Sequence, residues 1–371
     1  MMRRLSIAAA ASVALMIGIA VHARHAAAQN AEPTIVRVGA DGTATIEHGY
    51  IPPSSILSDE AKAALTRPTE GPGSGAPPQA QDMADLRRQM NARLQPNVER
   101  MRAAYPVDVE ETTIGGISVA IVTPRGGVPE RNANRVLINA PGGGFRTGIR
   151  ANGLLVSIPV AHLGGYRVVT ILYRQGPEHQ FPAATEDFLR VYRALRRDYP
   201  AQNIGMFGCS AGGALVTQTV AALLRNNEAA PGAIGVYCAG LGARFDGDSS
   251  TFAGLMLETG APSTPNTPPT AAANVMNAYF AEMDINRSDI TPANDPGILA
   301  RFPPTIFLTG TRDFAMSQAA YGHRRLIAAG VETELLIYDG LGHGFMTNAA
   351  LPEVREAQTL TSRFYDRYLG R

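Results

Sequence analysis

Cysteine is almost missing from this chain of 371 residues, which has only Cys209 and Cys238. Two thiols cannot frame a disulfide-stapled fold, and no Cys/His spacing resembles a metal site. An excess of either charge is missing as well: 33 Lys and Arg stand against 32 Asp and Glu, a net charge of +1. Without a basic field, nothing draws the chain to nucleic acid or to an anionic membrane surface. Nucleotide-binding signatures are lacking too, with no G-K-[ST] after a glycine loop and no G-x-G-x-x-G. No internal repeat is present. What remains is 45% hydrophobic residues, enough to bury a sizeable core as one large α/β domain or one domain with insertions.

The first 28 residues are expected to be a targeting segment. Met1-Met2-Arg3-Arg4 is a basic n-region, residues 5–21 are an uncharged apolar run, and Ala26-Ala27-Ala28 offers an A-x-A cleavage site before Gln29. An uncleaved anchor is the alternative, but the run is short for a span and rich in alanine. No cysteine follows it that could carry a lipid. A periplasmic or secreted mature protein is therefore expected, without stable insertion in the membrane. In an oxidising compartment Cys209 and Cys238 could pair if their strands are neighbours; two buried free thiols are the favoured reading.

Residues 29–105 read as an N-terminal extension. A flexible Gly/Pro stretch at 71–78 precedes residues 81–105, where Met83, Leu86, Met90 and Leu94 recur at helical spacing. That amphipathic helix must cover something, most simply the catalytic domain or its pocket mouth. From residue 106 onward, apolar strand-like runs alternate with helices. Strands are expected at 107–111, 117–122, 135–139, 168–173, 204–207, 235–239, 305–309 and 334–338. Helices are expected at 152–163, 182–198, 211–226, 317–329 and 354–368. Such alternation specifies a mainly parallel sheet with helices on both faces. The interval 245–301 interrupts it and reads as a cap insertion containing a helix over 270–283. Phe252, Met256, Met276, Tyr279 and Phe280 either line an acyl pocket or, more commonly for such residues, pack the insertion onto the body.

Chemistry concentrates in Gly208-Cys209-Ser210-Ala211-Gly212. An apolar strand runs into it and a helix follows at once, the context that turns G-x-S-x-G into a nucleophile elbow. A serine needs a base, and the base needs an orienting group. His343 lies between glycines after the last strand, free to swing between nucleophile and leaving group. His162, His179 and His323 fall in or beside helices and read as structural, and His48 is too far upstream to place. For the acid, Asp313 at the end of its own strand is favoured over Asp339, four residues before His343. The glycine loop Pro141-Gly142-Gly143-Gly144 follows a strand and can bring backbone N–H groups close to an oxyanion.

These motifs occur in a family order. The glycine loop, residues 173–184 with Glu186 and Asp187, the elbow, Asp313 and the His343-Gly344-Phe345 end together resemble the hormone-sensitive-lipase-like α/β-hydrolases, the bacterial carboxylesterases and their relatives. The resemblance covers residues 106–371. It implies the α/β-hydrolase fold, a Ser210–His343–Asp313 triad and an oxyanion hole from the N–H groups of Gly143, Gly144 and Ala211. It also implies a cap built from the N-terminal helices and the insertion after Cys238, with no metal or organic cofactor. Two positions depart from the family pattern: Pro141 stands where a His usually opens the glycine loop, and Cys209 where an Asp usually precedes the nucleophile. The expected activity is hydrolysis of small or medium acyl esters, or of a lactone. An amidase or sugar deacetylase is the alternative, and a non-catalytic binder of the same fold a remoter one.

Overall fold

The structure, a computed structural model, describes residues 35–40, 42–47, 52–66, 82–251, 278–281 and 283–370. The expected targeting segment, the Gly/Pro stretch and residues 252–277 and 282 of the insertion, with Phe252, Met256 and Met276, lie outside the described residues. The chain divides into two units, residues 1–52 and 53–371. The first holds an antiparallel hairpin, β1 (Ile35–Val38) and β2 (Ala44–Glu47).

In the second unit, α1 (Asp59–Thr66) and α2 (Met83–Ala104) precede an eight-stranded sheet. Its strands are β3 (Val107–Ile114), β4 (Ile117–Pro124), β5 (Val136–Ala140), β6 (Arg167–Ile171), β7 (Ile204–Cys209), β8 (Ala233–Tyr237), β9 (Thr305–Arg312) and β10 (Thr333–Gly342). The helices are α3 (Ile149–Gly164), α4 (Ala183–Leu195), α5 (Ala211–Arg225), the one-turn α6 (Pro296–Leu299), α7 (Met316–Ala328) and α8 (Pro352–Tyr368). Spatial order is β10-β9-β8-β7-β5-β6-β4-β3. Pairing is parallel from β10 through β6 and antiparallel at β6–β4 and β4–β3.

Burial follows from that order. Every residue of β5, β7 and β8 is buried, as central strands covered on both faces require. The edge strand β3 instead carries Asp108, Glu110 and Glu111, charges that discourage pairing with another chain. Along the strands, successive side chains enter opposite cores. Val136, Ile138 and Met206 join α4, α5 and α7 on one face, while Leu137 and Phe207 join α2, α3 and α8 on the other. The expected stripe on α2 is real but shifted toward its C-terminus. Leu94, Val98 and Met101 are buried, while Met83, Leu86 and Met90 are half-buried.

Of the strand ends that differ from expectation, two bear on the site. β8 stops at Tyr237 because Cys238 adopts φ 49, leaving the extended region. β10 continues to Gly342 through an irregularity between Tyr338 and Gly342, which carries the following residues past the end of β9. β5 lies between β6 and β7, so the chain leaves it on one side and returns on the other. The crevice at the carboxyl ends of strands around such a switch point is where open α/β sheets hold ligands.

Candidate active site

Ser210 sits between β7 and α5 at φ 59 and ψ −124, a conformation that costs about 1–3 kcal/mol for a residue with a Cβ. The surroundings hold it there. Its N–H donates to the Tyr237 carbonyl at 2.8 Å. Gly212 lets the turn press against β5, since a Cβ at that position would lie 1.8 Å from the Ala140 carbonyl oxygen. Ser210 is partly exposed, and its Oγ makes no hydrogen bond among the described residues.

On the adjacent strand, β5 runs into the glycine loop. Gly143 has φ 124, and a Cβ there would fall 1.9 Å from the Thr147 carbonyl oxygen, so only glycine closes this turn. The Gly143 carbonyl accepts from the N–H groups of Arg146 and Thr147, both at 3.0 Å. Pro141 brings no side-chain donor, but its carbonyl accepts from the Tyr173 hydroxyl at 2.7 Å. The N–H groups of Gly143, Gly144 and Ala211 have no partner among the described residues. The N–H of Ala211 also opens α5, where the helix end favours negative charge.

Behind the loop, Phe145 is fully buried and stacks on Tyr279 with centroids 4.5 Å apart. Tyr279 and Phe280 are themselves buried, at 1% and 2% exposure, and Phe280 also contacts Phe181. These two aromatics therefore pack the end of the insertion onto the body. Arg87 of α2 reaches the same loops, donating to the carbonyls of Arg146 and Gly176 at 2.9 and 2.8 Å and pairing with Glu178.

On the other side of Ser210, His343 and Asp313 come together. Nδ1 of His343 lies 2.7 Å from Oδ1 of Asp313. Asp313 is fully buried; its Oδ1 also accepts from the Ala315 N–H at 2.8 Å, and its Oδ2 from the Thr309 hydroxyl at 2.8 Å. Burial opposes ionisation of Asp313, but the His343 charge and these donors outweigh it and hold the carboxyl below its usual range. Burial likewise disfavours imidazolium, yet the Asp313 carboxylate prevails and holds His343 above its usual range. Phe314 stacks on the imidazole, centroids 4.0 Å apart and planes 23° apart, leaving the ring little freedom to tilt. Asp339 is exposed, accepts from the Thr311 hydroxyl at 3.0 Å and is not bonded to His343.

The other histidines are elsewhere. His162 bonds the Pro106 carbonyl at 3.1 Å beside Tyr105, and His323 meets the edge of Phe307. His179 is exposed, and His48 lies outside the described residues.

Two cysteines that read as inert in the sequence also converge here. Cys209 and Cys238 are free and buried. Cys209 Sγ contacts Met346 Sδ at 3.7 Å. Cys238 Sγ accepts from the Gly344 N–H at 3.3 Å, and a donor atom from each of Cys238, Asp313 and His343 lies within 4.8 Å of the others. Spacing along the chain could not reveal that cluster, because Cys238 is 75 and 105 residues from its neighbours in it. Strand order could have: β8 lies between the strands that carry Ser210 and Asp313.

A mostly parallel eight-stranded sheet, with helices on both faces and a strained serine turn over a glycine loop, defines an α/β-hydrolase fold. Residues 137–347 match the family described as alpha/beta hydrolase fold, and the chain belongs to that family. It is 24% identical over 241 residues to an acetyl-hydrolase of Streptomyces hygroscopicus, covering 64% of this chain and 77% of that one. A versiconal hemiacetal acetate esterase of Emericella nidulans is 30% identical over 120 residues, covering 32% of this chain and 40% of the relative. Among solved structures, one esterase superposes with a TM-score of 0.73 at 26% identity, over 86% of this chain and 97% of its own. An esterase from the bacterial hormone-sensitive lipase family gives 0.70 at 23%, over 84% and 99%. The resemblance read from the motifs thus holds for the α/β-hydrolase fold and the family that carries it. Among the described residues no helix is long and apolar enough to cross a membrane.

Proposed function

We propose that this chain is a serine-dependent carboxylic ester hydrolase that acts through an acyl-enzyme, with short acyl esters, acetyl esters first, as its substrates. The observation that carries the reading is Ser210 at φ 59, between the unpartnered N–H groups of Gly143, Gly144 and Ala211 and the strand ends that bear the Asp313–His343 pair. Named relatives support the class, since they are an acetyl-hydrolase and an acetate esterase.

In this reading Asp313 holds the Nδ1 proton of His343, which leaves Nε2 as the base facing Ser210. His343 takes the Ser210 proton as Oγ attacks the ester carbonyl. Charge developing on the carbonyl oxygen is met by the N–H groups of Gly143, Gly144 and Ala211, preorganised and therefore effective without reorientation. The imidazolium then protonates the leaving alcohol, and water repeats the sequence to release the acid. The Ser210–His343 hydrogen bond that this requires is of a kind that commonly tightens only when substrate is held. No step calls on a metal or an organic cofactor. Removal of residues 1–28 during export to the periplasm or medium is part of the same proposal.

The test is a series of chromogenic acyl esters of rising chain length, run on wild type and Ser210→Ala. Turnover should be greatest on the shortest chains and fall by about 10⁶-fold in the alanine variant, the loss typical of a missing nucleophile. Turnover unchanged by that substitution would remove Ser210 from the reaction.

A further inference from the structure

We propose that Cys238 is a positioning residue of this site: its thiol bridges the Asp313 carboxylate and the backbone of the loop that carries His343. This rests on the Ser210–His343–Asp313 reading. The geometry comes from three elements. Cys238 is the first residue after β8, at φ 49, and that unusual turn aims Sγ back across the end of β9. Its sulfur accepts from the Gly344 N–H at 3.3 Å, one residue beyond the base. The same sulfur lies within 4.8 Å of a carboxylate oxygen of the buried Asp313 and of a ring nitrogen of His343.

A thiol is one donor and a weak acceptor, so both contacts can be made at once only if it stays protonated. The surroundings ensure that. Burial, followed by Cys209 and then the nearby Asp313 charge, pushes the Cys238 thiol well above its ordinary range. Its single proton can go to the Cys209 sulfur or to Asp313, and an ionised carboxylate takes the stronger bond. Cys238 is therefore a lasting donor to the acid and a hook for the base's loop. Both tasks bear on where the imidazole sits and how strongly it holds a proton. Sulfur, carboxylate and imidazole so close together are also a donor set that zinc accepts. However, Asp313 and Nδ1 of His343 are already committed to each other at 2.7 Å, so a metal would have to break that bond and the thiol need not.

The sign of the effect follows from the bonds. Without the thiol, Asp313 loses a donor that holds it ionised and becomes a stronger acceptor for the imidazolium. The pKa of His343 then rises, and the acid limb of kcat/KM moves to higher pH. Wild type, Cys238→Ala, Cys238→Ser and Ser210→Ala would be assayed across pH on one short-chain ester. Cys238→Ala is expected to lower kcat by about tenfold, the scale of one hydrogen bond to a charged group, with KM little changed. Its limb should shift upward. Cys238→Ser, which keeps a donor and an acceptor, should restore the wild-type limb and most of kcat. The limb's position does not depend on how much of a variant folds, so poor yield cannot mimic the shift. An unmoved limb in Cys238→Ala, or equal loss in the alanine and serine variants, overturns the role of Cys238. Full activity in Ser210→Ala would instead defeat the reading on which it rests.

Discussion

The two sides of Ser210 are built from different materials. On the β5 and β7 side, the candidate oxyanion donors are backbone N–H groups, and what holds them is glycine geometry: φ 124 at Gly143 and the close approach at Gly212. On the β8, β9 and β10 side, Cys238, Asp313 and His343 are side chains brought from three strands: His343 is hydrogen-bonded to Asp313, and the Cys238 sulfur lies within 4.8 Å of both and accepts from the Gly344 N–H. Backbone devices tolerate changes in neighbouring side chains. Pro141 and Cys209 stand next to these turns, yet no N–H group of Gly143, Gly144 or Ala211 is lost to either. The side-chain half has no such tolerance, because each member sets the charge state of the next.

That contrast can be broken first on its side-chain half. Asp313→Asn keeps the shape but offers an amide where a carboxylate fixed the tautomer, and kcat should fall by about 10⁴-fold. The pH profile should move as well. His343 is held above its usual range against the effect of burial, so the wild-type acid limb should lie above roughly 6.5, the unperturbed imidazole value. With the carboxylate gone, burial outweighs the remaining raising influence of Cys209, and the limb should fall below that value. Initial rates between pH 4 and 9 would show it, and a limb that stays in place would separate Asp313 from His343.

The backbone half should respond less and differently. Gly143→Ala forces a Cβ to within 1.9 Å of the Thr147 carbonyl oxygen at a φ that alanine rarely adopts, so the loop must shift. Displaced oxyanion donors cost about 10²- to 10³-fold in kcat. Because His343 and Asp313 are untouched, the acid limb should stay where it is in wild type. A moved limb in this variant would mean that the two halves are not independent.

The same contrast explains what the chain's sequence revealed. Elements that follow directly from a local pattern were legible: the elbow, the glycine loop, the central strands and the helices between them. Each depends on residues next to one another, apolar runs closed by glycines. Asp313 was separable from Asp339 by its place at a strand end; in the structure Asp313 is hydrogen-bonded to His343, and Asp339 to Thr311. Cys238 was not legible as part of the site, since only strand order brings it beside Asp313. The expected strand there ran to 239, whereas the positive φ of Cys238 ends it at Tyr237, a backbone conformation that no apolar pattern encodes. Tyr279 and Phe280 were left between pocket and packing, and their stacking around Phe145 is a tertiary fact.

The smallest effect concerns how far the backbone half extends. Arg87, on α2 and far from Ser210 in sequence, donates to the carbonyls of Arg146 and Gly176 and pairs with Glu178. Gly176 in turn donates to the Phe145 carbonyl at 2.8 Å, so one guanidinium ties the end of the glycine loop to the segment after β6. The ion pair itself is partly exposed, and such pairs contribute about 0–1 kcal/mol. The bonds to carbonyl oxygens are the part that positions the loop. Glu178→Ala should therefore leave turnover nearly unchanged and lower stability by at most about 1 kcal/mol. Arg87→Ala leaves two carbonyls without their donor and should cost about 1–3 kcal/mol, with a loss of a few-fold in kcat. Thermal unfolding and ester turnover, measured on both variants, would compare them. Equal effects would make the ion pair the functional contact and confine the backbone half to the strand ends. A larger loss in Arg87→Ala extends it to α2, so that a helix outside the sheet helps set where the oxyanion donors point.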